Sequence, residues 1–183
     1  MTFLSLKWGI VVKRKNTDFD RYELERDDMQ NAACFINKDG GFPAHFHSSI
    51  ECVYVRSGNI TAIVDGQIYH AQAGQMILTS SYSVHVYSTE EGEHNETVTI
   101  IIPMNSIPSL QKVLNKKAFK EAIYDVKSDE ELQTLFRIMP AHWHEYSPET
   151  IKGISYMVLG LLISRVGLCD HPGNQRSNLM RDV

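Results

Sequence analysis

The succession of short β-type runs up to about Pro103 constrains the fold of this chain more than any other feature of its sequence. The runs are rich in Val, Ile, Thr and Tyr and are separated by turn residues, among them Ser57-Gly58-Asn59 and Asp65-Gly66. We predict strands at residues 8–12, 32–36, 51–55, 60–64, 67–70, 75–78, 84–88 and 96–102. Asp65-Gly66 between two alternating runs predicts a two-residue hairpin. Many short strands at close spacing are typical of an antiparallel sandwich or barrel.

After Pro103 the apolar residues recur at helical spacing instead. A short helix is predicted at residues 106–114, and the capping box Ser128-Asp129-Glu130-Glu131 predicts a second helix. Ser147-Pro148-Glu149 then supplies a cap, a first-turn proline and a first-turn acid for a longer helix. Apolar residues occupy almost every face of this last helix, so it must be buried on more than one side. We predict that the β-structure covers one side and a second subunit covers another.

Composition limits the class of protein. The chain has 183 residues, 43% hydrophobic and 22% charged, which suits one globular core with a smaller appendage. A net charge of −4 argues against this chain gripping the phosphate backbone of DNA. The 3 cysteines form neither a disulfide framework nor a C-x-x-C pair, and the chain start lacks the pattern of a secretory signal. We therefore expect a soluble, cytoplasmic protein with no membrane contact.

The residues with the most distinctive chemistry lie between Gly40 and Gly58. His45, His47 and Glu51 share a parity, so in an extended chain their side chains can share a face. Imidazole nitrogens and a carboxylate together suit a divalent first-row metal such as zinc, iron, manganese or nickel. His85 is a fourth candidate ligand in a later strand. We predict that the four converge, face inward, and hold either a metal ion or a polar effector.

A second His-x-His pair, His142 and His144, falls at the end of a predicted helix. Residues two apart on a helix do not face each other, so we expect this pair to lie on the surface.

The spacing of the first cluster resembles a known family. Four residues match the first motif of the cupin superfamily, namely His45, His47, Glu51 and Gly58. Three more resemble the second motif, namely Gly66, Gly74 and His85. The resemblance covers roughly residues 30–102 and implies a cupin-like antiparallel β-barrel, a double-stranded β-helix, followed by a C-terminal pair of helices. It also implies that His45, His47, Glu51 and His85 are metal ligands.

The layout of the whole chain resembles the regulatory half of AraC-type transcription regulators. The matching residues are Pro43-Ala44-His45-Phe46-His47, Glu51, Asp65-Gly66 and Val84-His85. The resemblance implies an effector-binding barrel at residues 1–105, a helical dimerisation appendage at 106–169, and at 170–183 a linker that starts a missing DNA-binding region. It implies a homodimer that contacts DNA only through that region.

Two functions follow from these patterns. The first is a small-molecule-sensing and dimerisation domain of a transcription regulator, which would not be an enzyme. The second is a metal-dependent cupin enzyme, an oxygenase or isomerase, and the fold alone does not decide between them. Tyr87 shares parity with His85 and is predicted to face the barrel lumen. Its aromatic face gives slight support to a sugar as the effector.

Overall fold

The computed structural model describes residues 21–90 and 92–171, which form two five-stranded sheets with helices against one of them. The strands are β1 (Arg21–Tyr22), β2 (Ala33–Lys38), β3 (Phe42–Phe46), β4 (Ile50–Ser57), β5 (Asn59–Val64), β6 (Gln67–Gln72), β7 (Gln75–Thr79), β8 (His85–Ser88), β9 (Glu96–Ile102), β10 (Lys117–Phe119), β11 (Ile123–Asp125) and β12 (Leu168–Asp170). The α-helices are α1 (Leu24–Asp27), α2 (Pro108–Leu114), α3 (Glu130–His142) and α4 (Pro148–Val166). The strand predicted at residues 8–12 lies outside the described residues.

Strand pairing confirms the mainly β, antiparallel architecture. The first sheet has the order β1-β3-β8-β5-β6, the second has the order β11-β7-β4-β9-β2, and β10 pairs with β12 separately. Within the described residues every pairing is antiparallel except that of β1 with β3. Val64 pairs with Gln67 around Asp65 and Gly66, whose φ angles are 49° and 83°. Positive φ at both central residues is what a tight hairpin of this kind requires, so the predicted turn is confirmed.

The second sheet has an apolar core on each of its faces. Its inner face packs against the first sheet, through side chains such as Val53 and Ile77. Its outer face packs against the helices, through Cys52, Ile100 and other residues of opposite parity. Because neighbouring residues of a strand point to opposite faces, β4 contributes Val53 and Val55 to the core between the sheets and Cys52 to the core under the helices.

The helical predictions hold with small corrections. The helix predicted at 106–114 begins at Pro108, after a 3₁₀ turn at Met104–Ser106. The α3 cap is Asp129 and not Ser128, because the Asp129 side chain accepts a hydrogen bond from the Leu132 amide. Ser147 caps α4 as predicted, by accepting a hydrogen bond from the Thr150 amide.

The segment after the barrel also contains β-structure. After β9, β11 pairs with β7 and extends the second sheet, and β10 pairs with β12. The strands β10, β11 and β12 have three residues each, too few for an alternating pattern to be read from sequence. None of the helices in the described part of the chain has the length and apolarity to span a membrane.

Asp129 connects α3 to α4 electrostatically. Its carboxylate lies 3.2 Å from Nε of Arg165 and accepts a hydrogen bond from Tyr124. Burial acts to raise the pKa of Asp129, but the hydrogen bonds from Leu132, Tyr124 and Arg165 outweigh burial and lower it. The charged carboxylate therefore stabilises the fold above its ordinary pKa, and this contribution is lost as the pH falls through the lower folded-state pKa.

We expect Asp129→Asn to lower the free energy of unfolding by about 1 kcal/mol at pH 7, and by less at pH 3. Asparagine caps a helix as well as aspartate does, so this change isolates the charge. Urea denaturation at both pH values measures the effect, and Asp125→Asn on the exposed strand end is the control. An equal loss at both pH values would show that the charge of Asp129 contributes nothing.

Candidate metal centre and pocket

Four buried side chains converge between the two sheets. His45 lies on β3, His47 follows the end of β3, Glu51 lies near the start of β4, and His85 begins β8. They are 3%, 1%, 4% and 1% exposed, respectively. Their ligand atoms all lie within 4.8 Å of one another. The structure therefore brings together all four predicted ligands.

The four side chains do not converge by sharing one face of a single strand; they come from both sheets. β3 belongs to the first sheet and β4 to the second, so the chain crosses between the sheets from Phe46 to Ile50. The antiparallel register of β3 with β8 places His45 directly opposite His85. Shared parity predicted the correct residues, but Glu51 approaches the histidines from the facing sheet and not from the same strand.

Each histidine ring is held by a backbone carbonyl through its Nδ1 atom. The Nδ1···O distances are 2.9 Å from His45 to Pro43, 3.1 Å from His47 to Ser49, and 2.9 Å from His85 to Ser83. A carbonyl only accepts, so each Nδ1 carries the hydrogen, and in the neutral ring Nε2 then keeps its lone pair. This is the arrangement that orients a metal-ligating histidine.

The free ring nitrogens fit a bound cation. Nε2 of His47 and Nε2 of His85 are buried and make no hydrogen bond within the described structure. They lie 3.4 Å and 3.9 Å from the same carboxylate oxygen of Glu51. Lone pairs facing a carboxylate at these distances repel, and a shared cation removes that repulsion. The cluster could therefore hold a metal ion through His45, His47, Glu51 and His85.

The protonation states agree with a ligand set. Burial, with a smaller contribution from His85, lowers the pKa of His45 to about 4. Burial acts to raise the pKa of Glu51, but the adjacent His47 and His85 side chains outweigh burial and hold that pKa well below its usual range. A neutral imidazole and an ionised carboxylate are the forms that bind metals.

A cavity of about 150 Å³ lies beside the cluster, between the two sheets. His45 and Glu51 form part of its lining. Side chains from both sheets and from α1 form the rest, namely Arg26, Phe35, Asn37, Phe42, Val53, Ile60, Tyr87, Thr97, Thr99 and Ile101. The remaining lining residues are Gly40 and Gly41. The cluster is therefore reachable by a small molecule.

Tyr87 faces this cavity, as its parity with His85 predicts. Its hydroxyl lies 3.0 Å from Oγ1 of Thr79. Burial is the largest cause of a pKa raised well above the usual tyrosine value, and the nearby Glu51 charge adds to it. Tyr87 is therefore a neutral hydrogen-bonding group beside the cluster.

The second histidine pair is not part of this cluster. His142 and His144 are both exposed, and Nδ1 of His142 lies 3.0 Å from a carboxylate oxygen of Glu145. This placement agrees with the surface position predicted from the helix geometry.

The sequence patterns missed most of the cavity wall. Thr97 and Thr99 lie at alternate positions of a correctly predicted strand, so their shared parity was the available signal. Arg26 reaches the cavity from a four-residue helix outside the barrel strands, and no sequence pattern points to it.

Comparison with known proteins identifies the fold. Residues 34–101 match the family model of the Cupin domain. Together with the two antiparallel sheets, this match defines a cupin-like β-barrel followed by helices. The search of curated proteins gives no match.

Solved structures resemble the chain only weakly. A cupin protein from Bacteroides fragilis is 21% identical with a TM-score of 0.37, over 41% of this chain and 68% of that protein. ToxT from Vibrio cholerae, bound to (E)-4-(8-methylnaphthalen-1-yl)but-3-enoic acid, is 13% identical with a TM-score of 0.48, over 75% of this chain and 58% of ToxT. The salicylate 1,2-dioxygenase of Pseudoaminobacter salicylatoxidans is 18% identical with a TM-score of 0.37, over 46% of this chain and 23% of the enzyme. These similarities assign no function to this chain.

Proposed function

We propose that this chain is the small-molecule-sensing and dimerisation domain of an AraC-type transcription regulator, with a divalent metal ion in its barrel. The observation that carries the proposal is the arrangement around the second sheet. One face of this sheet lines the cavity and the ligand cluster, and the other face supports the helices. A regulator requires such a connection between an effector and a dimerising element.

Two strands form this connection. On β9, Thr97, Thr99 and Ile101 line the cavity, while Val98, Ile100 and Ile102 belong to the core under the helices. On β4, Glu51 and Val53 line the cavity, while Cys52 lies in that same helical core. Tight packing transmits small displacements, so a ligand that shifts β4 or β9 also shifts the surface on which α3 and α4 rest.

The metal completes the binding site. Three imidazoles and one carboxylate suit zinc, nickel, iron or manganese. Bound there, a divalent ion would act as a Lewis acid with coordination positions open to an effector oxygen. His45, His47 and His85 would bind it through rings whose orientation is fixed by hydrogen bonds to backbone carbonyls. Glu51 would neutralise part of its charge.

A metal-dependent enzyme is the second candidate function. Its support is the same ligand set, because open coordination positions are what oxygenase or isomerase chemistry uses. Among the described residues that line the cavity, however, Glu51 is the one carboxylate, and there is no lysine or cysteine. General acid–base chemistry would therefore have to come from the ligands themselves or from Tyr87, and this favours a sensor.

The fate of a bound molecule separates the two candidates. We expect metal-loaded protein, incubated with a defined mixture of small organic acids, sugars and amides, to release its bound compound unchanged by chromatography and mass spectrometry. Hydrogen exchange in α3 and α4 is expected to slow when the compound binds. Depletion of one compound with appearance of a product would support the enzyme instead.

We expect the chain to be a homodimer that associates through α4. Val158, Leu159 and Leu162 are buried within the chain, whereas Met157 is 48% exposed and Leu161 is half-buried. Together Met157 and Leu161 form a partly exposed apolar strip, which favours a two-fold contact between copies of this helix. Sedimentation at tens of micromolar is expected to give a dimer, and Leu161→Glu a monomer.

The control is Ile68→Glu on β6, since Ile68 is also apolar and is 63% exposed. This variant is expected to remain dimeric. A wild-type monomer would exclude the dimer, and a monomeric Ile68→Glu variant would move the interface to the barrel.

A further inference from the structure

We propose that the cavity binds a small organic acid with a compact apolar body, and that its carboxylate pairs with Arg26. The proposal rests on the proposed metal site, because the bound ion sets the sign of the charge in the cavity. It narrows the effector from any small molecule to one chemical class.

Arg26 is placed to receive an anion. It lines the cavity, its side chain is 28% exposed, and its Nε atom lies 3.1 Å from a carboxylate oxygen of Glu23. Its two Nη atoms make no hydrogen bond or ion pair within the described residues. The Glu23 contact fixes the guanidinium and leaves these donors free. A planar pair of donors matches the two oxygens of a carboxylate.

The charge balance favours an anion once the metal is bound. Glu51, Glu23 and Arg26 together leave one negative charge at the cavity, since histidines that ligate a metal are neutral. A divalent ion reverses this to one positive charge. Charges in a partly buried site are poorly screened, so a monoanionic ligand gains electrostatic binding energy that a neutral ligand does not.

The cavity walls determine the size and the apolar character of the ligand beyond its carboxylate. Five apolar side chains line it, namely Phe35, Phe42, Val53, Ile60 and Ile101. Of the polar wall, Asn37 and Thr99 are hydrogen-bonded to each other at 3.2 Å. A sugar presents hydroxyls on all sides and would leave many of them unpaired here. A volume of about 150 Å³ is close to that of a cavity known to accept benzene, in T4 lysozyme.

The test compares acids with their neutral amides. Zinc-loaded protein is titrated by calorimetry with benzoate and cyclohexanecarboxylate, with the two corresponding amides, and with glucose and arabinose. We expect both acids to bind at least about tenfold more tightly than their amides, and the sugars to bind more weakly than the acids. Removing zinc with a chelator is expected to weaken acid binding and leave amide binding nearly unchanged.

Arg26→Gln is expected to reduce acid affinity roughly ten- to a hundredfold and to leave amide affinity unchanged. Arg26→Lys keeps the positive charge but loses the planar pair of donors, so its acid affinity should lie between those of wild type and Arg26→Gln. Arg137→Gln, on the exposed face of α3, should bind acids as wild type does. Equal binding of acids and amides, no acid binding, or acid binding unchanged in Arg26→Gln would overturn the proposal. Zinc content is measured on the same samples: failure of acid binding in zinc-containing protein contradicts this proposal, whereas absence of zinc contradicts the metal site.

Discussion

Purified without a histidine tag, this protein is expected to contain about one divalent metal ion per chain, and the His47→Ala variant is expected to contain almost none. Loss of a hydrogen bond that merely supports a ligand weakens metal binding by roughly 10- to 100-fold, so loss of a ligand should cost more. His47 is 1% exposed and its Nε2 atom is unpaired, so another side chain has little room to replace it. Elemental analysis of dialysed protein gives the occupancy.

His144→Ala is the matched control, because His144 is exposed and lies outside the cluster. This variant should keep the wild-type metal content. Full occupancy in His47→Ala would show that the ion sits elsewhere, and absence of metal from wild-type protein under zinc, nickel, iron and manganese supplementation would contradict the metal site itself.

Phe136→Ala is expected to lower the free energy of unfolding by about 3–5 kcal/mol, the cost of an unfilled cavity after loss of a buried aromatic ring. Phe136 is 0% exposed and packs in the core between α3 and the outer face of the second sheet. Its ring centroid lies 5.6 Å from that of Tyr54 on β4. Urea denaturation followed by circular dichroism gives the change.

Ile138→Ala on the same helix is the control, because Ile138 is 39% exposed and should cost no more than about 1 kcal/mol. A similar loss in both variants would mean that the α3 packing contributes little specific stability. It would also weaken the proposed connection between the cavity and the helices, because that connection requires tight packing across this core.

Much of the fold could be predicted because the barrel obeys local rules. Seven of the eight strands predicted from the sequence fall within the described residues, and all seven are present there. Asp65-Gly66 correctly predicted a hairpin between two of them. The strand β3 was not among the predictions, because its sequence Phe42–Phe46 contains a proline and a histidine instead of β-branched residues. Antiparallel pairing with β8, which follows after four intervening strands in the sequence, holds it extended.

The candidate ligands could be predicted because imidazole and carboxylate side chains stand out at short spacing. Sequence does not show that Glu51 reaches the cluster from the opposite sheet, since that depends on how the sheets pack. It also does not show Arg26 at the cavity, because β1 and α1 come to the barrel through a parallel pairing with β3. Contacts between distant segments carry this information, and no local pattern encodes them.

Anomalous diffraction at the absorption edge of the bound metal tests the central claim most directly. For zinc-loaded crystals, we expect one peak per chain at about 2.0–2.2 Å from Nε2 of His45, His47 and His85 and from a carboxylate oxygen of Glu51. The peak should face the cavity lined by Tyr87 and Arg26. A peak at any other position, or no peak between these four side chains at full zinc occupancy, would contradict the account.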